Sequence, residues 1–245
     1  MLGIQRALLS VLPAPEEKAT YVNEMFTAIA GRYDVMNRLM TFGLDQGWRR
    51  WAARAIARPG ASRALDVGSG TGDFLPIIER AMPGALVVGV DFTLAMMVAG
   101  QPKRDADTRR GAFVNGDALE LPFADGSFDA ITTGFAIRNV ADIAQAFREM
   151  ARVTRPGGRM ACLEVARPNN ALVRWGHQFY FNNIVPIIGR LVGGNSRAYT
   201  YLPQSAGQFP PPPELAAIIG RSGWRDVAWR TLGMGAVAVH TATRE

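Results

Sequence analysis

Residues 66–72, with the sequence Asp-Val-Gly-Ser-Gly-Thr-Gly, constrain the fold more than any other part of the chain. An apolar pair leads into this segment and a helical pattern follows it, which predicts a strand, a tight loop and a helix. Gly68, Gly70 and Gly72 lack a Cβ, so they can adopt positive φ and let a ligand lie against bare backbone. Amides of the loop and of the helix N-terminus would add hydrogen-bond donors. The alternative is an αβ turn that uses glycine for its geometry alone.

The loop differs from the dinucleotide fingerprint, which needs Gly-x-Gly-x-x-Gly. Its third glycine comes one residue early, and Asp73 occupies the place that the fingerprint reserves for glycine. A pyrophosphate would meet a carboxylate there. A ligand with an amino-acid end and a nucleoside end fits better, and S-adenosylmethionine is such a ligand.

Short apolar runs alternate with helical stretches from residue 61 onward. Strands are predicted at 64–67, 86–90, 112–114, 128–132 and 159–165, helices at 73–82, 94–100 and 141–154, and two closing antiparallel strands at 226–231 and 236–241. Strands that alternate with helices imply right-handed crossovers and a parallel sheet. The predicted fold class is therefore α/β, a Rossmann-like, mostly parallel seven-stranded sheet flanked by helices.

Two helical regions are predicted outside this alternation. Residues 16–58 follow helical spacing without strand patterns, so residues 1–60 are expected to form an N-terminal helical cap on a domain of residues 61–245. Residues 169–194 are crowded with large apolar side chains but are too polar to span a bilayer. A helical lid at about 169–213 is the prediction, and packing of this segment over the sheet is the alternative.

Composition excludes several classes of protein. The single cysteine, Cys162, rules out a disulfide framework within a monomer. The sequence contains no Cys/His cluster with the spacing of a zinc site, so no metal is expected. Cys162 lies in an apolar run and is expected to be buried. No stretch of eighteen apolar residues predicts a membrane span. An apolar run at 7–12 favours a short amphipathic surface helix over a signal peptide.

The formal net charge is +6 and comes almost entirely from arginine, since Lys18 and Lys103 are the two lysines. The basic residues are scattered, which argues against a nucleic-acid partner. A basic surface could favour an anionic membrane face. The alternative is that the charge simply keeps the protein in solution.

Acidic side chains follow two further predicted strands. Asp91 ends the second strand nineteen residues after Gly72, where a carboxylate can accept hydrogen bonds from both hydroxyls of a ribose. A NAD enzyme would share this feature, and a helix cap is the alternative. Asp117 follows the third strand and can accept from an adenine amino group. Together with the glycine loop, these positions favour methyl transfer.

The motifs resemble class I S-adenosylmethionine-dependent methyltransferases, and more closely the ubiquinone/menaquinone biosynthesis C-methyltransferases. The elements that carry the closer resemblance are Phe26-x-x-Ile29-Ala30-x-x-Tyr33-Asp34-x-Met36-Asn37, Phe135-x-Ile137-Arg138-Asn139-Val140, Arg152-Val153-x-x-Pro156-Gly157-Gly158-Arg159 and Tyr199-x-Tyr201-Leu202. The likeness runs from about residue 26 to residue 240. In three places the chain departs from the family pattern. Residues 45–47 replace a histidine and an arginine, Gly134 stands where a serine is common, and Ala136 replaces a glycine.

The resemblance implies S-adenosylmethionine as cofactor, S-adenosylhomocysteine as product, and a set of binding residues. The implied cofactor-binding residues are Tyr33, Asn37, Gly68, Gly70, Thr71, Gly72, Asp91, Asp117, Ala118 and Gly134. Tyr33 and Asn37 are expected to cover the cofactor from the cap. A cytoplasmic protein is implied, with peripheral contact at the inner membrane face and a homo-oligomer left open.

The candidate catalytic residues are Arg138, Asn139 and His177. Methylation of a quinol carbon needs alignment, a dry pocket and a proton acceptor. Arginine stays protonated, so Arg138 would stabilise a developing phenolate or hold a water; a structural ion pair is the alternative. His177 is a candidate base because its pKa suits neutral pH, and a helix-surface histidine is the alternative.

The resemblance implies C-methylation of a prenylated, lipophilic quinol, from demethylmenaquinol to menaquinol, in ubiquinone biosynthesis, or in both. Three other interpretations remain at this point. The acceptor could be another small aromatic or lipid, the chain could bind the cofactor without transferring a methyl group, or it could be a NAD oxidoreductase. Arg138 with Asn139 argues against the second, and Asp73 against the third.

Overall fold

The structure is a computed structural model that describes residues 13–14, 16–103, 112–185, 187 and 196–245. The helix expected at the N-terminus lies mostly outside these residues. So do three apolar residues of the expected lid, Ile188, Leu191 and Val192.

Seven strands form one sheet at the centre of the described chain. They are β1 (Arg63–Val67), β2 (Leu86–Asp91), β3 (Ala112–Asn115), β4 (Phe128–Gly134), β5 (Thr154–Val165), β6 (Trp224–Leu232) and β7 (Val237–Arg244). Their order is β3-β2-β1-β4-β5-β7-β6. The first five strands are parallel, and β7 runs antiparallel to both β5 and β6. This confirms the predicted Rossmann-like sheet and its antiparallel closing pair.

Helices flank the sheet and cover its carboxyl edge. They are α1 (Lys18–Ile29), α2 (Tyr33–Thr41), α3 (Asp45–Ile56), α4 (Leu75–Ala81), α5 (Leu94–Gly100), α6 (Ile143–Val153), α7 (Ala171–Phe179), α8 (Ser196–Gln208) and α9 (Pro212–Gly220). Short 3-10 turns occupy Ala30–Arg32, Ile137–Asn139 and Gly233–Gly235, and a π-helical turn, Tyr180–Ile184, extends α7. No helix in the described ranges is both long and apolar enough to cross a membrane.

The boundaries of β5 and α9 show why some elements begin where the sequence pattern does not predict it. Strand β5 begins at Thr154, five residues before its predicted start, because Thr154 pairs with Phe128. A register shift then separates this pair from the next one, Ala130 with Arg159, and the Pro-Gly-Gly residues lie between them. Helix α9 begins at Pro212, inside the proline run 210–213, although a run of prolines predicts a loop. Proline fits the first helical turn because the N–H it lacks would have no intrahelical partner there.

The sheet separates two apolar layers because alternate side chains of a strand point to opposite faces. Leu65, Ile131 and Cys162 are buried on one face, which confirms the prediction for the cysteine. Alanines line part of the other face and let α3 approach closely, with Ala52, Ala53 and Ile56 fully buried. Helix α3 thus packs on the sheet although it belongs to the predicted cap. The domain boundary at residue 60 stays a prediction.

Candidate active site

The glycine loop turns sharply over the carboxyl end of β2. The amides of Gly68 and Ser69 both donate to the carbonyl of Val90, at 2.8 and 3.0 Å. Gly68 has a φ of +69°, and a Cβ there would stand 2.3 Å from the Cβ of Ala136. Only glycine allows this loop to pack against the segment that follows β4.

A cavity of about 120 Å³ opens beside this loop, and we call it the glycine-loop cavity. Seven of the ten predicted cofactor-binding residues line it, namely Tyr33, Gly68, Gly70, Asp91, Asp117, Ala118 and Gly134. The structure therefore brings together residues from the cap, from the glycine loop and from the ends of β2, β3 and β4.

Asp91 holds the loop in place. One carboxylate oxygen accepts from the Gly70 amide at 2.7 Å, and the other accepts from the Thr93 amide at 2.8 Å. Burial raises the pKa of this carboxyl, and the two amide hydrogen bonds act in the opposite direction. Each carboxylate oxygen can accept more than one hydrogen bond, so a ribose can still be recognised here. Asp117 is less engaged, with one oxygen accepting from the Leu119 amide at 2.9 Å.

The other three predicted cofactor residues lie outside the wall of the glycine-loop cavity. The Thr71 hydroxyl donates to Asp34 at 2.6 Å, and Lys103 donates to that hydroxyl at 2.8 Å. Gly72 packs closely on Phe113, and a Cβ at position 72 would lie only 2.6 Å from the Phe113 ring. Asn37 lines a second cavity. In this structure Thr71 and Gly72 therefore help to hold the shape of the loop and do not line the glycine-loop cavity.

Asp73 is not among the residues that line the glycine-loop cavity. Its carboxylate pairs with Lys103 at 3.1 Å and with Arg38 at 3.6 Å. The sequence argument that this carboxylate would repel a pyrophosphate is therefore not supported by its position, since two cations neutralise it outside the cavity wall.

A second cavity of about 460 Å³ adjoins the first, and we call it the apolar cavity. Its walls come from α1, α2, α3, α7, the segment after β4 and the β6–β7 turn. Four side chains belong to the walls of both cavities, namely Phe26, Tyr33, Phe135 and Asn139. A molecule in the apolar cavity and one in the glycine-loop cavity would meet at these four residues.

Phe135 stands at this junction in a strained conformation. Its φ is +60°, which is uncommon for a bulky side chain and costs about 1–3 kcal/mol. Its amide donates to the carbonyl of Leu163 at 2.8 Å, which anchors the turn to β5. The guanidinium carbons of Arg49 and Arg138 lie 5.5 and 5.9 Å from the ring centroid. The strained turn thus places two cations around one aromatic ring.

Arg138 lines the apolar cavity and forms a buried ion pair. Its Nη1 lies 3.2 Å from both carboxylate oxygens of Glu164 and donates to the Phe135 carbonyl at 2.5 Å. Its Nε is buried without a hydrogen-bond partner. The structural ion pair considered from the sequence is therefore present, and it leaves the buried Nε of the guanidinium unused.

Asn139 and His177 contribute further polar groups. The Asn139 side-chain amide donates to the Phe135 carbonyl at 3.3 Å, while its Oδ1 is buried without a partner at the junction of the cavities. His177 lies on α7, half-buried in the wall of the apolar cavity. Burial lowers the pKa of its imidazole, so the neutral form that can accept a proton predominates at neutral pH.

Sequence reasoning missed Arg49, which is buried in the wall of the apolar cavity. It pairs with buried Asp45 at 3.5 Å, stands 4.9 Å over the Phe74 ring, and its Nε has no hydrogen-bond partner. A signal was available, because Arg49 precedes Ala52, Ala53 and Ile56 at the spacing of one helical face. An arginine on an apolar face needs a buried partner. The structure identifies that partner as Asp45.

Within the described ranges, no three or more His, Cys, Asp or Glu side chains are grouped so that they could hold a metal ion.

Comparisons with known proteins agree with this geometry. Residues 14–244 match the profile of the ubiE/COQ5 methyltransferase family. The chain is 58% identical to a demethylmenaquinone methyltransferase of Roseiflexus castenholzii over 96% of this chain and 98% of that protein. It is 43% identical to a protein of the same name from Deinococcus radiodurans, over 90% and 91%. It is 39% identical to the ubiquinone/menaquinone biosynthesis C-methyltransferase UbiE of Desulfotalea psychrophila, over 91% and 90%.

Solved structures resemble the chain in fold. A SAM-dependent methyltransferase from Thermotoga maritima has a TM-score of 0.63 and 18% identity, covering 91% of this chain and 99% of that one. A methyltransferase in complex with the Haloferax volcanii Trm112 activator has a TM-score of 0.65 at 18% identity, over 91% and 97%.

Proposed function

The chain belongs to the ubiE/COQ5 methyltransferase family, and from this we propose that it transfers a methyl group from S-adenosylmethionine to a ring carbon of demethylmenaquinol. Two of the relatives described above carry the name demethylmenaquinone methyltransferase, at 58% and 43% identity. They favour the menaquinone branch, and the ubiquinone precursor is the second acceptor to test. The proposed location is the cytoplasm, with contact at the inner membrane face.

One observation carries the proposal: a small cavity that holds the glycine loop and two carboxylates, and a larger apolar cavity, share four side chains. Methyl transfer requires donor and acceptor in contact, with water kept away from the reacting atoms. Well-oriented reactions gain roughly 7–11 kcal/mol from such alignment. We infer that Phe26, Tyr33, Phe135 and Asn139 supply this alignment by fixing where the two ligands meet.

The residues around the glycine-loop cavity fit the cofactor. Bare backbone at Gly68 and Gly70 can receive its amino-acid end, and the carboxylates of Asp91 and Asp117 can accept from ribose hydroxyls and an adenine amino group. When bound, S-adenosylmethionine supplies an activated methyl group on a sulfonium. Burial raises the pKa of the Tyr33 phenol, so Tyr33 stays neutral between the two cavities.

The polar groups at the junction suit a phenol that must lose its proton. Arg138 has an unused Nε and carries a positive charge, so it can stabilise a quinolate oxygen. The unpartnered Oδ1 of Asn139 can accept a hydrogen bond from a ring hydroxyl or from a water. We infer that a water held by this pair relays the proton to solvent, with His177 as the other candidate acceptor.

The remaining walls of the apolar cavity suit a prenyl tail. Met36, Met40, Val173 and Val237 are among the apolar residues that line it, and a tail in contact with them is withdrawn from water. We infer that α7, which lies within the predicted lid, acts as one wall of the tail site.

The test is incubation with labelled S-adenosylmethionine and each of two demethylated quinols under reducing conditions, followed by mass analysis of the ring. Addition of one methyl group to demethylmenaquinol is the expected result. Transfer only to non-quinol aromatic compounds or other lipids would establish the alternative acceptor. Tight cofactor binding without transfer to any acceptor would establish a binding module.

A further inference from the structure

We propose that the mouth of the apolar cavity is a docking surface for an anionic lipid bilayer, formed by Phe42, Leu172, Trp175, Phe179 and Met234. We call these five residues the apolar rim. Vesicle binding can be measured without turnover, whereas entry of a lipid acceptor through the rim rests on the function proposed above.

The rim side chains are exposed to an unusual degree for large apolar groups. Their exposed fractions are 75% for Phe42, 76% for Leu172, 65% for Trp175, 51% for Phe179 and 83% for Met234. Exposed apolar groups of this size are costly in water when they are clustered, and such clusters mark partner or membrane contacts.

Two rim residues line the apolar cavity, and the other three are exposed on α7, which supplies part of the cavity wall. Phe42 and Met234 both line the apolar cavity, and so does Tyr180, whose ring centroid lies 5.6 Å from that of Phe42. Trp175 and Phe179, one helical turn apart on α7, stack with ring centroids 6.0 Å apart, and Phe179 directly precedes Tyr180. The rim is therefore continuous with the apolar interior.

The backbone holds two rim residues in conformations that most side chains avoid. Phe42 ends α2 with a φ of +51°, and Met234 has a φ of +56° between two glycines of the β6–β7 turn. Gly233 packs against the Trp48 ring and Gly235 against Pro168. The turn is thus wedged between α3 and the segment leading to α7, with the Met234 side chain exposed.

Charge favours a lipid surface over another apolar partner. From residue 165 to residue 213 the sequence contains no Asp or Glu, and the arginines of this segment whose side chains the structure describes are Arg167 and Arg174. Each arginine near an anionic leaflet contributes about 1 kcal/mol of attraction. Aromatic and aliphatic side chains beside cations are the combination that binds at the membrane interface. A prenylated acceptor dissolved in the bilayer could then enter the apolar cavity without crossing water.

The test compares two matched double variants in flotation with vesicles of phosphatidylcholine alone and of phosphatidylcholine mixed with phosphatidylglycerol. Trp175→Ser/Phe179→Ser removes two exposed apolar side chains one helical turn apart. Leu94→Ser/Val98→Ser removes a pair of the same spacing and similar exposure, 60% and 62%, from α5. Neither pair lines either cavity.

We expect wild type and the α5 variant to float with the anionic vesicles, and the Trp175/Phe179 variant to lose about tenfold in vesicle affinity. Binding to phosphatidylcholine alone should be weaker for all three proteins. Turnover of a short-chain, water-soluble quinol should be equal in the two variants, and turnover of a long-chain quinol in vesicles should fall only in the Trp175/Phe179 variant.

Equal flotation of both variants would overturn the proposal. The proposal would also be overturned if the wild type were a dimer and the Trp175/Phe179 variant a monomer with the same vesicle affinity. The rim would then be a contact between two copies of the chain. Loss of vesicle binding on removal of residues 1–12, with the rim intact, would assign the membrane contact to that segment instead.

Discussion

Gly134 shows how a single position is fixed by its neighbours. A Cβ there would stand 2.5 Å from the Phe74 ring and 3.2 Å from Nη1 of Arg49. The serine that is common at this place in the family therefore does not fit beside these two side chains. The departure from the family pattern is explained by packing, since Phe74 and Arg49 occupy the space.

Gly134→Ser should destabilise the protein by about 1–3 kcal/mol because it overpacks a filled site. Urea unfolding measures this change. Phe74→Leu makes room, so the double variant should be more stable than the sum of the two single effects predicts. Additive effects would show that Phe74 does not set the restriction.

Asp66 should make stability depend on pH. It is fully buried, accepts from the Thr132 hydroxyl at 2.6 Å, and burial raises its pKa to about 7. When the pKa of an acid is higher in the folded than in the unfolded state, its full contribution to stability is present at pH values below the unfolded-state pKa, which is near 3.8. That contribution is lost as pH rises through 7.

Between pH 5 and pH 8, the wild type should therefore lose stability relative to Asp66→Asn, by at most about 1.4 kcal/mol per pH unit. Urea unfolding of both proteins without cofactor, across this range, measures the difference. Parallel stability curves would mean that the carboxyl is already ionised in the fold at pH 5.

A test of the role of Arg138 requires variants that leave no buried charge unpaired. Arg138→Gln alone would strand Glu164 and cost about 3–5 kcal/mol of stability. Arg138→Gln/Glu164→Gln removes both charges, and we expect kcat to fall about 10²–10³-fold with unchanged affinity for S-adenosylhomocysteine. Arg138→Lys keeps the cation and should lose less. Wild-type kcat in the double variant would assign Arg138 to structure alone.

At the scale of elements, a cluster of charges joins the cap to the glycine loop. Lys103 follows α5 and pairs with Asp34 of α2 and with Asp73, which follows the loop. Asp34 also accepts from the Thr71 hydroxyl. This cluster fixes α2 over the loop. It also holds Tyr33 over the backbone of Gly70, where the ring atom Cε1 would lie 4.0 Å from a Cβ at that position.

Lys103→Met should weaken cofactor binding about fivefold, because a partly exposed ion pair contributes up to about 1 kcal/mol. Calorimetric titration with S-adenosylmethionine measures the effect. Arg148→Met is the control, since Arg148 forms an exposed pair with Asp142 on α6, outside both cavity walls. Equal affinities in the two variants would show that the cluster does not position the cap.

At the scale of the whole molecule, ligand binding to the folded state should raise the melting temperature. At a hundredfold excess over its Kd, S-adenosylhomocysteine should add about 2.7 kcal/mol of stability, which is several degrees for a chain of this size. NAD should leave the melting temperature unchanged. The reverse pattern would exclude the methyltransferase interpretation, and it can be read without any acceptor.

The sequence predicted the sheet well because its signals are local. Apolar runs, glycines and helical periodicity specify strands, turns and helices within a few residues of one another. The strand predictions failed only at boundaries such as Thr154 and Trp224, where register shifts extend the pairing. The cofactor-binding residues that follow strands also converged, because the carboxyl ends of parallel strands meet at one edge.

By itself, then, the sequence determined the order of elements, the glycine loop and the family. The tertiary structure alone decided which cation faces which distant anion: Lys103 with Asp34, and Arg138 with Glu164. It also decided that two cavities share a wall. A buried charge is tolerated only with a partner, and that partner comes from whichever element the fold brings close, so no local pattern encodes it.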